Sequence, residues 1–256
     1  MILHELLHTM PAIRLFRPEN TEKPSGRLPH GAERQAKCMS LSHADFMAMF
    51  DQWAATYDAT VFREEAADGF EDYQEVLARV ASLAGAGPGR RVLDVGTGTG
   101  NLALEVSRRG ADVVAVEPSP AMQQEARRKL GTIPVLDGQF LSLPVQSGTF
   151  DAVVSSYAFH HLTDQEKAQG AAELLRVLKP GGVAVIGDVA WANDAARAAM
   201  IRKCEAAGKP ELVREIEEEY YPTVGVLTGI FAALGCAVYL EQVNDWVWVL
   251  AARKRG

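Results

Sequence analysis

Short apolar runs alternate with stretches of helical length from residue 91 to residue 207, and this alternation limits the fold more than any other feature. The runs have the length of β-strands and are mostly rich in valine: Val92–Val95, Val113–Val116, Val135–Leu136, Ala152–Ser155 and Val183–Ile186. The helical stretches that follow the runs are 101–109, Ala121–Leu130, 164–178 and 193–207. This order is typical of βαβ units and a parallel sheet. Unbroken valine-rich strands indicate that both faces of the sheet are covered.

Different elements are predicted before and after this alternating region. Ala237–Val243 and Trp246–Ala252 are strand-like runs joined by Asn244-Asp245, which predicts a tight antiparallel hairpin. Upstream, apolar residues at helical spacing predict amphipathic helices over 42–57 and Tyr73–Leu83. We therefore expect an α/β fold with a doubly wound, mostly parallel seven-stranded sheet, an antiparallel C-terminal hairpin and N-terminal helices. Pro180-Gly181-Gly182 is predicted to be a turn that ends a helix before the fifth strand.

The first 41 residues differ in character from the rest of the chain. Prolines and glycines recur between residues 10 and 37, where no apolar periodicity is found. Such a composition favours a disordered extension. We expect residues 1–41 to form that extension and residues 42–256 to form one domain. The residues do not decide between Met1 and the internal Met39 or Met47 as the start of translation.

Composition excludes several classes of partner. A formal net charge of −7 argues against nucleic acid as a partner, because phosphate binding needs clustered lysines and arginines. No apolar run reaches the roughly 18 residues of a membrane span, and residues 1–9 do not resemble a secretory signal. The three cysteines, Cys38, Cys204 and Cys236, are scattered and suggest free thiols in a reducing compartment. We expect a cytoplasmic protein with no membrane attachment.

A glycine-rich loop between the first strand and the following helix indicates a nucleotide-like ligand. Its glycines stand at 96, 98 and 100 and follow Asp94, whereas a dinucleotide fingerprint would place a glycine where Asn101 stands. A carboxylate beside the loop suits the ammonium and sulfonium of AdoMet better than a diphosphate. Glu117 ends the second strand, where a carboxylate can accept both ribose hydroxyls. AdoMet is therefore favoured over NAD, and a tight turn without a ligand is the structural alternative.

Several segments, taken in order, resemble the class I AdoMet-dependent methyltransferases, and within that class the YrrT-type methyltransferases. The general resemblance rests on Val92–Gly100, Glu117–Ser119, Gly138–Phe140 with Leu143-Pro144, Phe150–Ser155, His160–Leu162 and Leu178–Gly182. The narrower one adds Phe50–Ala54 with Tyr57-Asp58, Ser156–Asp164, Glu219–Tyr221 and Trp246–Val249. Together these segments span roughly residues 42–253, and their combination is more specific than any one of them.

The resemblance implies a set of residues that bind AdoMet. Gly96 and Gly98 would approach the methionine part, Asp94 its amino group, and Glu117 the ribose hydroxyls. Gln139 stands where the family has an acidic residue at the adenine amino group, and its amide oxygen can accept the same hydrogen bond. Tyr57 would cap the cofactor near the sulfonium, although a core aromatic at helical spacing is an equal interpretation. The full set that we expect to bind the cofactor is Tyr57, Asp94, Gly96, Thr97, Gly98, Glu117, Gln139, Phe140 and Ser155.

Candidate proton acceptors follow the fourth strand. Tyr157, His160 and His161 lie at the carboxyl edge, where open α/β sheets bind ligands, and a histidine there can accept a proton near neutral pH. A capping or packing role is the alternative for each histidine. Tyr220 and Tyr221 either line the acceptor pocket or pack in the core.

The methyl acceptor is expected to be a small molecule. Ser155–Ala158 replaces the Asn/Asp-Pro-Pro-Tyr/Phe arrangement of enzymes that methylate amino groups of nucleic acids. No metal cluster is evident, because Asp188 is predicted to end a strand and Asn193 to cap a helix. We predict metal-independent transfer from AdoMet to a thiol, hydroxyl or carbon. A non-catalytic AdoMet-binding module and, with less support, an NAD-dependent oxidoreductase are the alternatives, and the residues leave oligomeric state undetermined.

Overall fold

The computed structural model describes residues 50–62, 70 and 72–255. The predicted extension over residues 1–41, and residues 42–49 of the first predicted helix, therefore lie outside the described residues. Within that predicted helix the chain is helical at residues 50–53 and turns at 54–56 before α1 begins. The carbonyl of Trp53 accepts hydrogen bonds from both the amide and the hydroxyl of Thr56, which closes a tight turn and interrupts the helix.

After the helical residues 50–53, eight helices and seven strands follow one another through the described residues. The helices are α1 Tyr57–Val61, α2 Tyr73–Leu83, α3 Asn101–Arg108, α4 Pro120–Leu130, α5 Asp164–Val177, α6 Asp194–Ala206, α7 Pro210–Glu218 and α8 Val224–Ala233. The strands are β1 Arg91–Val95, β2 Asp112–Glu117, β3 Val135–Asp137, β4 Phe150–Ser156, β5 Leu178–Val189, β6 Ala237–Gln242 and β7 Val247–Arg253. A single turn of 3₁₀ helix spans Phe159–His161. The periodicity analysis did not predict α7 or α8.

The seven strands form one sheet in the order β3-β2-β1-β4-β5-β7-β6. Strands β1 to β5 are parallel, and β7 pairs antiparallel with both β5 and β6. The hairpin turn is held by the Asn244 side chain, whose oxygen accepts hydrogen bonds from the amides of Trp246 and Val247 at 2.9 Å each. The predicted doubly wound, mostly parallel sheet with an antiparallel C-terminal hairpin is confirmed.

The prediction of a turn at Pro180-Gly181-Gly182 was wrong. Helix α5 ends at Val177, and β5 begins directly at Leu178 and pairs with Phe150. The pairing then steps from Phe150–Leu178 to Ala152–Val183, so the Pro-Gly-Gly segment forms an irregularity inside β5. Gly181 has φ +74°, a backbone conformation that glycine adopts without strain and that a bulge requires.

Helices bury both faces of the sheet, as the unbroken apolar strands predicted. Alternate residues of one strand pack in the cores on opposite sides of the sheet, because successive side chains of a strand point to opposite faces. Val92 lies in the core that includes α2 and α3, and Leu93 lies in the core that includes α5 and α8. Among the described residues, no helix combines the length and the apolar character needed to cross a membrane.

The parallel strands direct several polar residues to one edge of the sheet. Asp94, Glu117 and Asp188 lie at or near the carboxyl ends of β1, β2 and β5, and the 3₁₀ turn follows β4. Strands β1 and β4 are neighbours, and the chain order reverses between them. Open α/β sheets bind ligands at such a switch point, and this is the part of the fold that holds the candidate site.

Candidate functional site

The glycine-rich loop leaves space at one glycine and packs tightly at another. Gly96 has φ +69°, and a Cβ atom there would lie 2.7 Å from Cβ of Ala158 and 3.4 Å from the Phe140 ring. Gly98 has φ +55°, and a Cβ atom there would meet nothing within 4 Å. Gly96 therefore permits the loop to pack against the residues after β3 and β4, whereas Gly98 faces space that a ligand can enter.

Asp94 is a buried carboxyl group with one oxygen left over. Oδ2 accepts a 2.5 Å hydrogen bond from the Thr97 hydroxyl, while Oδ1 has no hydrogen-bond partner among the described residues. Burial raises the pKa of Asp94 to about 7, although the Thr97 hydroxyl and the backbone amide of Ala103 oppose the shift. The buried hydroxyl of Ser155 also has no partner in the described part of the chain. Unpaired buried polar atoms are rare in native proteins, so these two point to a missing hydrogen-bonding partner.

Glu117 is held in one orientation by the backbone. Oε2 accepts from the amide of Gly98 at 2.8 Å, and Oε1 accepts from the amide of Ser119 at 2.9 Å. Burial raises the pKa of Glu117, and the two amides oppose the shift by favouring the ionised form. Gln139 is exposed two residues beyond β3, the strand that pairs with β2. The two predicted adenosine contacts, Glu117 at the end of β2 and Gln139 just after β3, therefore lie at the carboxyl ends of neighbouring strands.

The N-terminal segment is fastened to the glycine-rich loop by a polar network. Asp58 Oδ1 accepts hydrogen bonds from the Thr99 hydroxyl at 2.7 Å and from the Asn101 amide at 3.0 Å. Lys129 forms a 2.7 Å ion pair with Asp58 Oδ2. Asp51 Oδ1 accepts a 2.6 Å hydrogen bond from the Ser119 hydroxyl, close to Glu117. Asn101, which argued against a dinucleotide, therefore also anchors the segment that covers the loop.

Aromatic side chains cluster between that segment and the end of β4. Tyr57 packs against Trp53 at 4.8 Å between ring centroids, and Tyr157 packs against Phe70 at 5.1 Å and Tyr73 at 5.3 Å. Burial raises the pKa of Tyr57 well above its usual value, and the hydroxyls of Tyr73 and Tyr157 add to the effect. Tyr157 has φ +51°, a strained conformation for a residue with a side chain. Such strain is concentrated at functional sites.

Two histidine–carboxylate pairs stand side by side after β4. Nδ1 of His160 lies 2.6 Å from Oδ1 of Asp188, whose Oδ2 accepts a 2.9 Å hydrogen bond from the His160 amide. Nδ1 of His161 lies 3.2 Å from Oε2 of Glu219. The two imidazole rings are 3.8 Å apart between centroids and tilted by 52°. The sheet and the segment after α7 therefore each supply one carboxylate.

The two histidines differ in how readily they accept a proton. Burial disfavours a charge on His160, but the adjacent Asp188 carboxylate outweighs burial and raises its pKa. Burial, together with the neighbouring His160, lowers the pKa of His161 despite Glu219. Burial would raise the pKa of Glu219, yet His161 and His160 bring it down to about 2. The carboxylates are therefore ionised at neutral pH, and a positive charge on one imidazole disfavours a charge on the other.

Comparison with known proteins identifies the family. Residues 92–182 match the family model described as a methyltransferase domain. An uncharacterized methyltransferase of Geobacillus kaustophilus is 39% identical over 214 residues, which cover 82% of this chain and 98% of the relative. An uncharacterized methyltransferase of Oceanobacillus iheyensis is 36% identical over 212 residues, with 82% and 98% of the two chains covered. The chain belongs to the class I AdoMet-dependent methyltransferases.

Solved structures at lower sequence identity share the fold of this methyltransferase. The 1,6-didemethyltoxoflavin-N1-methyltransferase of Burkholderia thailandensis has a TM-score of 0.59 at 17% identity, with 91% of this chain and 94% of the other covered. The [4+2]-cyclase SpnF has a TM-score of 0.64 at 18% identity, with 82% and 95% covered. At this identity the likeness concerns the fold alone. It agrees with the seven-stranded sheet.

The methyltransferase brings most of the predicted site residues to one edge of its sheet. Thr97 supports Asp94, Phe140 lies against Gly96, and Ser155 and Tyr157 stand at the end of β4 beside the histidines. Sequence reasoning missed the partnership of Asp188 with His160. It also missed Glu219 as the partner of His161, because 58 residues separate the two and only tertiary contact joins them.

Tyr221 packs in the core, which is one of the two roles that its sequence position allowed; the other was lining the acceptor pocket. Its ring lies 5.0 Å from that of His160 and 6.1 Å from that of Trp191, and its hydroxyl donates a 2.8 Å hydrogen bond to Glu215. Asn193 caps α6, as predicted, by accepting a hydrogen bond from the amide of Ala196.

The side-chain nitrogen and oxygen atoms of His160, His161 and Glu219 that could bind a metal lie within 4.8 Å of one another. This spacing also suits one metal ion, and the sequence did not reveal it.

Proposed function

We propose that this methyltransferase transfers the methyl group of AdoMet to a small molecule at a thiol, hydroxyl or carbon atom, without a metal ion. One observation carries the proposal. A buried carboxyl group with an unpaired oxygen and two histidine–carboxylate pairs lie at the same edge of the sheet, at its switch point. The first arrangement suits a cationic cofactor, and the second suits an acceptor that must lose a proton.

The residues around the glycine-rich loop fit AdoMet. When bound, AdoMet supplies a methyl group that its sulfonium already activates. The protein therefore needs mainly to align the acceptor with that methyl group. Asp94 Oδ1 is buried and has acceptor capacity that an ammonium group could use, and Gly98 in the following loop borders open space. Glu117 keeps further acceptor capacity for ribose hydroxyls, since each carboxylate oxygen has two lone pairs. The Burkholderia thailandensis structure, which holds S-adenosylhomocysteine, supports the same ligand class here.

We propose the same ligand for the other residues expected to bind the cofactor. In this proposal Tyr57 lies near the sulfonium, and Gln139 accepts a hydrogen bond from the adenine amino group. Thr97, Phe140 and Ser155 complete the set, and the unpaired hydroxyl of Ser155 supports its inclusion. We infer these roles from the family resemblance together with the contacts described above.

Proton acceptance is the role that we propose for His160 and His161. With Asp188 ionised, Nδ1 of His160 carries the proton of their hydrogen bond, which directs proton exchange to Nε2. His161, whose pKa is lowered, is neutral at pH 7 and is ready to accept a proton from a thiol or hydroxyl. Tyr157 adds a phenol at the end of β4. We propose that it orients the acceptor, since its strained backbone is otherwise unexplained.

Metal independence is supported by the carboxylates around the histidines. Asp188 and Glu219 lie within hydrogen-bonding distance of Nδ1 of His160 and of His161, so each imidazole has a carboxylate partner that can orient it for proton transfer. Activity unchanged after exhaustive chelation would agree with this part of the proposal. A rate restored only by added Zn²⁺ or Mn²⁺ would contradict it and would reassign His160, His161 and Glu219 as ligands.

Charge and cysteine usage support a cytoplasmic enzyme that does not bind nucleic acid. A net charge of −7 gives no positive field for phosphates. Cys204 and Cys236 are buried free thiols, which suits a reducing compartment. Retention on a heparin or DNA column at physiological salt would contradict this part of the proposal.

Two measurements test the proposed function. Thermal unfolding is followed with AdoMet, S-adenosylhomocysteine and NAD⁺, because a ligand at a hundredfold excess over Kd stabilises the native state by about 2.7 kcal/mol. We expect the first two to raise Tm and NAD⁺ to leave it unchanged. The second measurement is release of S-adenosylhomocysteine in a screen of thiol, hydroxyl and carbon acceptors, with His161→Ala as the matched variant.

Each outcome of these measurements separates the candidate functions. Stabilisation by NAD⁺ without a response to AdoMet would overturn the cofactor assignment. Stabilisation by AdoMet with no transfer to any acceptor would favour the non-catalytic AdoMet-binding module. Transfer that His161→Ala and His160→Ala leave unchanged would show that neither histidine accepts the proton.

A further inference from the structure

Lys167 is buried on the side of α5 that faces the histidines, where its ammonium contacts three backbone carbonyls and lies 5.8 Å from the centroid of the Tyr220 ring. The residue is fully buried. Its Nζ donates to the carbonyl of Tyr220 at 2.9 Å, to that of His160 at 3.2 Å, and to that of Leu162 in a shorter contact. An ammonium group has three hydrogens to donate, so these carbonyls satisfy its hydrogen-bonding capacity.

The three carbonyls belong to the two segments that carry the histidine–carboxylate pairs. His160 and Leu162 are the neighbours of His161 in and just after the 3₁₀ turn, and Tyr220 lies between Glu219 and Tyr221. The two segments are about sixty residues apart in sequence, yet the Lys167 ammonium bridges them directly. The bridge lies beside the contact of His161 with Glu219 at 3.2 Å and that of His160 with Tyr221 at 5.0 Å.

Burial of an ammonium group is costly, and stability alone does not account for it. A methionine of similar volume would remove the cost of dehydrating the charge, and apolar replacements of buried charged groups are often neutral or stabilising. A methionine would, however, leave three carbonyls without their donor and would release one segment from the other. The lysine thus supplies a specific geometry that an apolar side chain of the same size cannot.

We propose that Lys167 is a positioning residue for methyl transfer, which holds the histidine-bearing turn against the segment of Glu219 and Tyr221. This inference rests on the proposed role of His160 and His161 in accepting a proton. Lys167 acts through the backbone and through its charge, and it does not touch the reacting atoms. Its ammonium also faces the charged groups of the site, which include Asp164, Glu166, Asp188, Glu219 and His160.

The charge of Lys167 can be detected through the pKa of His160, which a side chain that only fills space would not change. Its ammonium disfavours a second positive charge on His160, and so it partly offsets the increase in the pKa of His160 that Asp188 causes. Removal of the charge should therefore raise the pKa of His160. A residue that merely fills space would leave the histidine titration unchanged.

The test compares wild type with Lys167→Met and Lys167→Gln, and uses Lys203→Met on exposed α6 as the control. Histidine ring signals are titrated by NMR, with His160→Ala and His161→Ala for assignment. Calorimetry gives the Kd of S-adenosylhomocysteine, and steady-state kinetics give kcat and KM with an acceptor found in the screen. The NMR titration needs no turnover, so absence of methyl transfer in wild type would contradict the proposed function without deciding the role of Lys167.

We expect Lys167→Met to fold, to bind S-adenosylhomocysteine within about threefold of wild type, and to raise the pKa of His160. Its kcat should fall by about ten- to a hundredfold, as expected for misplaced catalytic groups. Lys167→Gln should lose less, because its amide can still donate to two carbonyls. If Lys167→Met does not fold, Lys167→Gln decides by the same criteria. The proposal would be overturned by a folded variant whose His160 pKa and kcat equal those of wild type. It would also be overturned if cofactor binding were lost together with kcat, or if neither variant folded.

Discussion

Asp94 and Glu117 are the two carboxyl groups that we propose to bind the cofactor. Asp94 keeps one oxygen unpaired in a buried position, and Glu117 is oriented by two backbone amides. Both carboxyl groups have raised pKa values because burial disfavours the charged form. A cationic or hydroxyl-bearing ligand would restore the lost interactions, and this leads to two predictions at the scale of residues.

The first prediction concerns the pH dependence of cofactor binding. Because the pKa of Asp94 is raised to about 7 in the free protein, its carboxyl group is mostly protonated at pH 6 and must lose the proton to bind an ammonium. The affinity for S-adenosylhomocysteine should therefore rise by about tenfold from pH 6 to pH 7.5. Calorimetric titration across this range measures the effect.

Asp94→Asn is the control for that pH dependence. The variant should bind S-adenosylhomocysteine more weakly at pH 7.5 and lose most of the pH dependence, with Glu117 contributing what is left.

The stability of the free protein should change with pH in the opposite direction to the affinity. A carboxyl group with a raised folded-state pKa stabilises the fold most at low pH, and it loses that contribution as pH rises to about 7. An affinity that is flat with pH in wild type would contradict the assigned role of Asp94.

The second prediction concerns Glu117. Glu117→Ala should weaken binding of S-adenosylhomocysteine by about 2–4 kcal/mol, because two charge-assisted hydrogen bonds are lost. It should also lower the free energy of unfolding by about 1–3 kcal/mol, since the amides of Gly98 and Ser119 lose their acceptor. Glu117→Gln should lose less of both. Calorimetry and denaturant unfolding measure the two effects.

The matched control for Glu117 lies on the same strand. Asp112 is a carboxylate at the opposite end of β2, where it is exposed and pairs with Arg91. Asp112→Ala should leave cofactor binding unchanged. Binding of S-adenosylhomocysteine by Glu117→Ala within threefold of wild type, with the protein folded, would show that this residue does not hold the ribose.

Among the elements, helix α5 links the stability of the fold to the geometry of the site. Its N-terminus is capped reciprocally: the Thr163 hydroxyl accepts from the amide of Glu166, and the Glu166 carboxylate accepts from the amide of Thr163. One turn further on, Lys167 reaches back to the 3₁₀ turn. The cap therefore fixes where the helix begins relative to both histidines.

Removal of this cap gives the prediction at the scale of elements. Thr163→Ala should lower the free energy of unfolding by about 1 kcal/mol, because helix N-caps contribute on that order. For a protein of this size the change corresponds to a fall in Tm of about 2–4 °C. Calorimetric or circular-dichroism melting measures it. Thr132→Ala, in an exposed turn, should melt like wild type, and equal Tm values for all three proteins would show that the cap contributes nothing.

For the whole molecule, the boundary of the domain can be tested by shortening the chain. The segment from Asp51 to Asp58 contacts Thr99 in the glycine-rich loop, Asn101 at the start of α3 and Ser119 at the start of α4. The residues before position 39 are rich in proline and glycine and lie outside the described part of the chain. We expect the domain to begin between these two regions.

A chain that begins at Met39 should therefore bind S-adenosylhomocysteine like the full chain and melt within about two degrees of it. A chain that begins at Tyr57 loses Asp51 and Trp53 and should bind more weakly and melt lower. Calorimetry and thermal unfolding of the three chains provide the comparison. A large loss of stability in the chain from Met39 would show that the first 38 residues pack on the domain.

Local patterns in the chain were sufficient to predict the sheet and the cofactor loop. Valine-rich runs, helical periodicity and glycine spacing are properties of neighbouring residues, and the carboxyl ends of parallel strands must meet at one edge. That rule alone predicts that Asp94, Glu117 and His160 lie at the same edge of the sheet. The irregularity at Pro180–Gly182 was misjudged because the same residues suit a turn and a bulge, and only pairing with β4 distinguishes the two.

Tertiary structure alone decided which groups face one another across long separations. His161 meets Glu219, His160 meets Asp188, and Lys167 meets Tyr220, each pair being joined by packing of elements far apart in the chain. The unpaired oxygen of Asp94 likewise depends on what surrounds it and not on its neighbours in sequence. Burial and electrostatic coupling set the pKa values in the site. These quantities come into being only when the fold removes water and brings distant charges together.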